Sequence, residues 1–163
     1  MQLYLVQHGA AKTEAEDPQR GLTDDGRRRV ERMAEFLAPL ELALDRIEHS
    51  GKLRARQTAE ILAAQLHPRK GIVEVAGLAP NDDIEPVRLR LERESKNLPA
   101  GRRGLMLVGH LPHLSRLASR LLGHEAGRAV VQFQMGGVVR LDQDEAGRWV
   151  LCWALVPELL SKG

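Results

Sequence analysis

Strand-length runs alternate with longer stretches of helical period along most of this chain. Leu3 to Val6 is a continuous apolar run, and a polar loop broken by Pro18 and Gly21 follows it. Thr23 is the expected N-cap of a first helix, with Asp24 and Asp25 in its first turn. Val30, Met33, Ala34 and Leu37 then recur at i, i+3, i+4 and i+7, and Pro39 ends the pattern. Arg46 to His49 reads as a second strand. Ser50 and Gly51 break it and can cap a helix from about Lys52 to Leu66, with Ala55, Ala59, Leu62 and Leu66 on one face and Pro68 as its stop. Ile72 to Val75 reads as a third strand, and a third helix places Ile84, Val87 and Leu91 on one side. Leu105 to Gly109 is apolar throughout, as strands buried on both faces are. A helix follows at once, with Leu111, Leu114, Leu117, Ala118 and Leu121 at helical spacing and Gly123 as its stop. The tail, from Gly136 to Val156, reads as two strands around a polar turn. This order predicts one α/β domain over residues 1–163: three layers, a mostly parallel central sheet and a C-terminal antiparallel hairpin.

Composition narrows the function classes. The chain has 163 residues, 43% hydrophobic and 28% charged, which suits a globular domain with a real core. Aromatics are only 3%, so aliphatic side chains must fill that core. The net charge is +2, and basic residues are interspersed with acids, as in "RRRVERMAEF". No basic stripe with stacking aromatics appears, so nucleic acid is not an expected partner. No apolar run approaches the roughly 20 residues that span a bilayer, and no leader pattern is visible. Cys152 stands alone, between Leu151 and Trp153. It is expected as a buried structural thiol in a reducing, cytoplasmic setting.

The candidate chemistry lies at strand exits, where open α/β sheets bind ligands. His8 follows the first strand and His110 follows the Leu105–Gly109 run, each beside a glycine. If those two strands are neighbours, the imidazoles meet at one sheet edge. Arg54 begins the helix after the second strand, and the same argument places its guanidinium near them. That fork of donors matches phosphate oxygens. Helix N-termini add N–H groups and the positive end of a dipole. His113 can point to solvent, and Arg56 reads as a surface residue. No third ligand turns the two histidines into a metal site, and no glycine-rich nucleotide loop is present, so neither metal nor cofactor is expected.

These motifs resemble the histidine phosphatase superfamily, with its phosphoglycerate-mutase-like fold, and within it the SixA-like phosphohistidine phosphatases. The resemblance is carried by "LVQHGAA", "RGLTDDGRRRVERMAEFL", "SGKLRARQTAEIL" and "LMLVGHLPHL", in that order over nearly the whole chain. It implies His8 as the nucleophile that takes the phosphoryl group, with Arg54 and His110 binding the phosphoryl oxygens. Arg20 matches a phosphate-contacting arginine, and Gly9 would let the backbone turn tightly at the nucleophile. The general acid is unassigned among Asp17, Asp82, Asp83 and Glu85. The short segments between motifs imply an open site, which suits a phosphohistidine-bearing protein domain as substrate; the enzyme itself is expected as a monomer.

One position departs from the family pattern. Gln7 stands where the resemblance implies an arginine, exchanging a fixed charge for a neutral amide. Three readings follow: a working phosphohistidine phosphatase, a phosphate- or phosphoprotein-binding module with little turnover, or a phosphatase of a small phosphorylated metabolite.

Overall fold

The computed structural model describes residues 1–97 and 104–160. Six strands, β1 (Gln2–Gln7), β2 (Leu44–His49), β3 (Ile72–Glu74), β4 (Gly104–Gly109), β5 (Val138–Gln143) and β6 (Trp149–Leu155), form one sheet in the order β3-β2-β4-β1-β5-β6. The first four in that order run parallel, and β5 and β6 close one side as an antiparallel hairpin. The helices are α1 (Asp24–Leu37), α2 (Leu53–Leu66), α3 (Glu85–Lys96) and α4 (His113–Leu121). No helix among the described residues is long and apolar enough to cross a membrane.

Side-chain alternation makes the three layers. Along β1, Leu3 and Leu5 join one buried cluster with Leu105 and Leu107 of β4 and with Val87, Leu91, Leu114 and Leu117 of α3 and α4. Tyr4 and Val6 point the other way, with Met106 and Val108, against Val30, Met33, Ala59 and Leu62 of α1 and α2. Both faces of β1 and β4 are therefore covered, which explains why they are apolar without alternation. Thr23 caps α1 as expected, its hydroxyl accepting from Gly26 N–H at 2.9 Å. Gly123, at φ 82°, ends α4.

A charged cluster ties α3 to the sheet. Glu48 of β2 is only 2% exposed, yet it accepts from Arg46 at 2.8 Å and from Arg90 of α3 at 2.6 Å. Glu94 joins the same two arginines at 2.9 Å each. Such a cluster holds its register well, because removing one member leaves a buried charge unpaired.

Two expectations fail at the surface. Leu111 does not share the buried face of α4; it lies in the turn before the helix and is 39% exposed. Cys152 is an exposed thiol on β6. It falls at an irregularity in the β5–β6 pairing, between the Arg140–Trp153 and Leu141–Leu151 pairs, and β6 is an edge strand whose outer positions face solvent.

Gly26 marks the tightest approach. A Cβ there would lie 2.2 Å from the Ala10 carbonyl oxygen. That carbonyl is itself fixed, accepting from Thr23 N–H at 2.9 Å. Gly26→Ala should therefore lower unfolding stability by about 1–3 kcal/mol, despite the better helix propensity of alanine. Urea denaturation measures it, and an unchanged midpoint would show that this contact yields freely.

Candidate active site

The register of β1 against β4 brings the two histidines together. Gln7 pairs with Gly109, so His8 and His110 leave adjacent parallel strands side by side. Their ring centroids are 4.9 Å apart, tilted by 51°. The His8 N–H donates to the Gly109 carbonyl at 3.1 Å, extending the ladder by one step. Both side chains are buried.

His8 is held in a defined protonation form. Its Nδ1 lies 2.6 Å from the Gly9 carbonyl oxygen. A carbonyl can only accept, so Nδ1 carries the proton and Nε2 keeps its lone pair. Burial lowers the His8 pKa to about 4, the Gly9 carbonyl opposes this, and Arg54 and Arg20 lower it further. Burial also takes His110 to about 3, helped by the charges of His8, Arg54, Lys52 and His113. Both imidazoles are therefore neutral near pH 7, and the charges acting on them are cationic. Arg54 is partly desolvated as well, with Arg20 adding repulsion, and its Nε is buried without a hydrogen-bond partner. Donors held this way suit an anion.

The "RARQT" motif gains a structural meaning. Arg54, Gln57 and Thr58 lie at i, i+3 and i+4 on α2, one face of the helix. The Thr58 hydroxyl accepts from Gly9 N–H at 3.0 Å and donates to the Arg54 carbonyl at 2.7 Å. Gln57 Oε1 accepts from Leu22 N–H at 2.8 Å, which pins the loop bearing Arg20. Neither residue stood out from spacing alone, although both belong to the motif that carries Arg54. Ser50 is the third such residue. Its hydroxyl lies 2.6 Å from His110 Nε2, while α2 has no side-chain N-cap bond.

Arg20 reaches the site by a different device. It sits in left-handed backbone at φ 52°, with Nε donating to the Lys12 carbonyl at 3.2 Å. Asp17 holds this turn, accepting from Gly21 N–H at 2.8 Å and Gln19 N–H at 3.0 Å. Its carboxylate thus has a bracing task. Asp82 and Asp83 are turned toward backbone N–H groups of Ala79 and Glu85, and Glu85 is paired with Arg88 and Arg120. None of these four carboxyl groups is among the principal charges acting on His8 or His110.

Three readings of the sequence change here. Gly9 does not adopt positive φ; it must be small because a Cβ would lie 2.9 Å from Val30 Cγ2 and 3.2 Å from the Gly26 carbonyl oxygen. His113 does not face solvent but is fully buried. Its ring nitrogens make no hydrogen bond of ordinary geometry, although the Gly77 backbone lies close enough to favour the protonated form weakly. Ser50 turns toward His110 rather than capping α2. Arg56, by contrast, is exposed and pairs with Glu60 at 2.9 Å, as its helical position implied.

Gln7 ends β1 beside this cluster. Its carbonyl accepts from Gly136 N–H at 2.9 Å, and its Oε1 is buried without a partner. The same residue lines an open groove of about 380 Å³, together with Ala10, Leu111, Phe133 and Met135. Among the described residues there is no group of three or more His, Cys, Asp or Glu side chains placed to hold a metal ion.

Comparison with known proteins gives a consistent result. Residues 3–79 match the profile of the histidine phosphatase superfamily, branch 1. A Picosynechococcus protein, itself uncharacterized, is 37% identical over 145 residues, covering 86% of this chain and 84% of that one. The phosphohistidine phosphatase SixA of Escherichia coli is 27% identical over 158 residues, covering 96% and 94%. The solved structure of the protein histidine phosphatase SixA complexed with tungstate superposes with a TM-score of 0.85 at 25% identity, covering 99% of this chain and all of that one.

Proposed function

We infer that this chain, which belongs to the histidine phosphatase superfamily in its SixA-like branch and is a phosphatase, hydrolyses a phosphohistidine carried on a protein. The observation that carries this reading is the state of His8: neutral, with the Nδ1 proton donated to the Gly9 carbonyl and Nε2 left with its lone pair to attack. Tungstate, bound by the SixA relative, is a tetrahedral oxyanion like phosphate, and the cationic surroundings of His8 suit the same shape.

The reaction follows from that arrangement. His8 Nε2 forms a bond to phosphorus while the P–N bond of the substrate breaks. The electron pair goes to the leaving imidazole, which takes up a proton. Water then attacks the phosphoryl group on His8, releasing phosphate and restoring the neutral imidazole. Arg54, Arg20 and His110 hold the equatorial oxygens throughout, where charge is spread in the transition state. The leaving nitrogen of a phosphohistidine departs readily once its ring is protonated, so no carboxylic acid is assigned a catalytic role.

The groove beside Gln7 supports a protein-borne substrate over a small metabolite. Leu111 is 39% and Met135 49% exposed at its edge, alongside the charged Asp25, Arg29 and Glu158, and an open groove of mixed apolar and charged side chains suits a protein face. Incubation with a phosphohistidine-bearing phosphocarrier domain tests the reading, with loss of the phosphoryl group as readout. Binding of phosphate by calorimetry without turnover would replace it with a binding module. Turnover of small phosphomonoesters alone would replace it with a metabolite phosphatase.

Gln7 bears on affinity more than on chemistry. Hydrogen bonds to charged groups contribute roughly 1.5–3 kcal/mol, so an arginine there would add about a tenfold or greater gain in oxyanion binding. Gln7→Arg is expected to tighten vanadate binding by that factor in a competition assay. Unchanged or weaker binding would mean that the pocket is built around the amide.

A further inference from the structure

We propose that Ser50 is a positioning residue that fixes the tautomer of His110, so that the buried Nδ1 presents a proton to the phosphoryl group. The proposal rests on the phosphatase reading above and adds a residue to it. Ser50 follows β2 as His110 follows β4, and the two strands are parallel neighbours, with His49 opposite Val108. The hydroxyl oxygen reaches His110 Nε2 at 2.6 Å. It also accepts from Lys52 N–H at 3.4 Å, which occupies one of its two lone pairs and leaves the hydroxyl proton available to the imidazole, the direction the proposal assigns. Nε2 is then the acceptor, and the single proton of the neutral ring sits on Nδ1. That nitrogen is buried and has no hydrogen-bond partner within the protein.

The alternative tautomer fails on the chemistry of the site. With the proton on Nε2, a lone pair on Nδ1 would confront phosphoryl oxygens, acceptor against acceptor. Protonating both nitrogens is opposed by burial and by the neighbouring cations Arg54 and Lys52. A neutral ring that donates from Nδ1 is the form in which His110 assists without adding charge to its own burial cost.

The serine is held where this requires it. Gly51, next in the chain, sits in left-handed backbone at φ 85° and donates its N–H to Nδ1 of buried His49 at 3.1 Å. A Cβ on Gly51 would lie 2.5 Å from Glu74 Oε1, so the turn is closed on its outer side as well. The Ser50 side chain is thereby aimed along the sheet edge toward His110.

Long-range nitrogen–proton NMR on uniformly labelled wild-type protein tests the tautomer without reference to activity. The expected pattern for His110 is a protonated Nδ1 and an unprotonated Nε2; a protonated Nε2 overturns the proposal. Kinetics form the second arm, using phosphoramidate as a small P–N substrate. Ser50→Ala is expected to lower kcat about tenfold with KM nearly unchanged, the loss of one hydrogen bond's orienting effect. Ser50→Thr, which keeps the hydroxyl, should recover most of that loss. Full kcat in Ser50→Ala, or a Thr variant as slow as the Ala one, overturns it. If wild type hydrolyses no P–N substrate, the phosphatase reading fails while the NMR result still decides the tautomer.

Discussion

His8→Ala is expected to remove turnover almost entirely, lowering kcat on a phosphohistidine-bearing phosphocarrier by at least about three orders of magnitude. No other described side chain offers a neutral, oriented imidazole lone pair at the end of β1. The Gly9 carbonyl fixes the ring through Nδ1 at 2.6 Å, and removing the ring leaves nothing for phosphorus to bond to. Two further readouts separate chemistry from folding. Wild type quenched during turnover should carry an acid-labile, alkali-stable phosphoryl group, and His8→Ala should carry none, while both melt at similar temperatures. The acid limb of kcat/KM supplies the second. The His8 pKa lies at about 4, lowered mainly by burial, so its imidazole stays neutral well below the pH at which an ordinary histidine is protonated. Activity should hold as pH falls through 6.5 and drop only as it nears 4, in wild type at constant ionic strength. Substantial turnover in His8→Ala would move the covalent step to another residue.

Arg54→Ala should lower kcat/KM by about 10²–10³-fold, the range seen when one oriented charge stabiliser is removed from a transition state. Arg54→Lys should recover little, because a single ammonium cannot reproduce the fork that meets two oxygens. The informative part is stability. The Arg54 guanidinium is partly desolvated, its Nε lacks a partner, and Arg20 repels it. Its loss removes an unfavourable burial, so Arg54→Ala should leave Tm of the ligand-free protein unchanged or raised. Vanadate should then stabilise wild type more than the variant. A fall in Tm that tracks the fall in activity would assign Arg54 to the scaffold instead.

Much of this arrangement was legible in residue order. The apolar runs at Leu3 and Leu105 located the two central strands, and the glycines beside His8 and His110 marked their exits. Parallel adjacency of β1 and β4 then placed the imidazoles together, as the sheet-edge argument required. Legibility ended where a side chain's task depends on a partner far along the chain. Thr58 reads as a helical threonine until Gly9 N–H is seen on its hydroxyl, 49 positions away. Ser50 reads as a cap until His110 appears across the sheet edge. Gly9 looked conformational, yet its reason is crowding by Val30 and Gly26. Leu111 satisfied the helical period but fell before the first turn of α4, where the pattern no longer governs burial. Cys152 followed the same logic: an apolar neighbourhood in sequence does not bury a residue on an edge strand.

The β1–β4 register has a consequence for how this protein acquires activity as it folds. His8 and His110 lie about 100 residues apart in the sequence, and only the pairing of Gln7 with Gly109 brings their rings to 4.9 Å. Local hairpins and helices can form early, but this pairing closes a loop that spans most of the chain and is entropically slow. Recovery of turnover after dilution from denaturant is therefore a clock for that single long-range event. Helical circular dichroism should return ahead of it, and the lag between the two signals would time the closing of the central sheet.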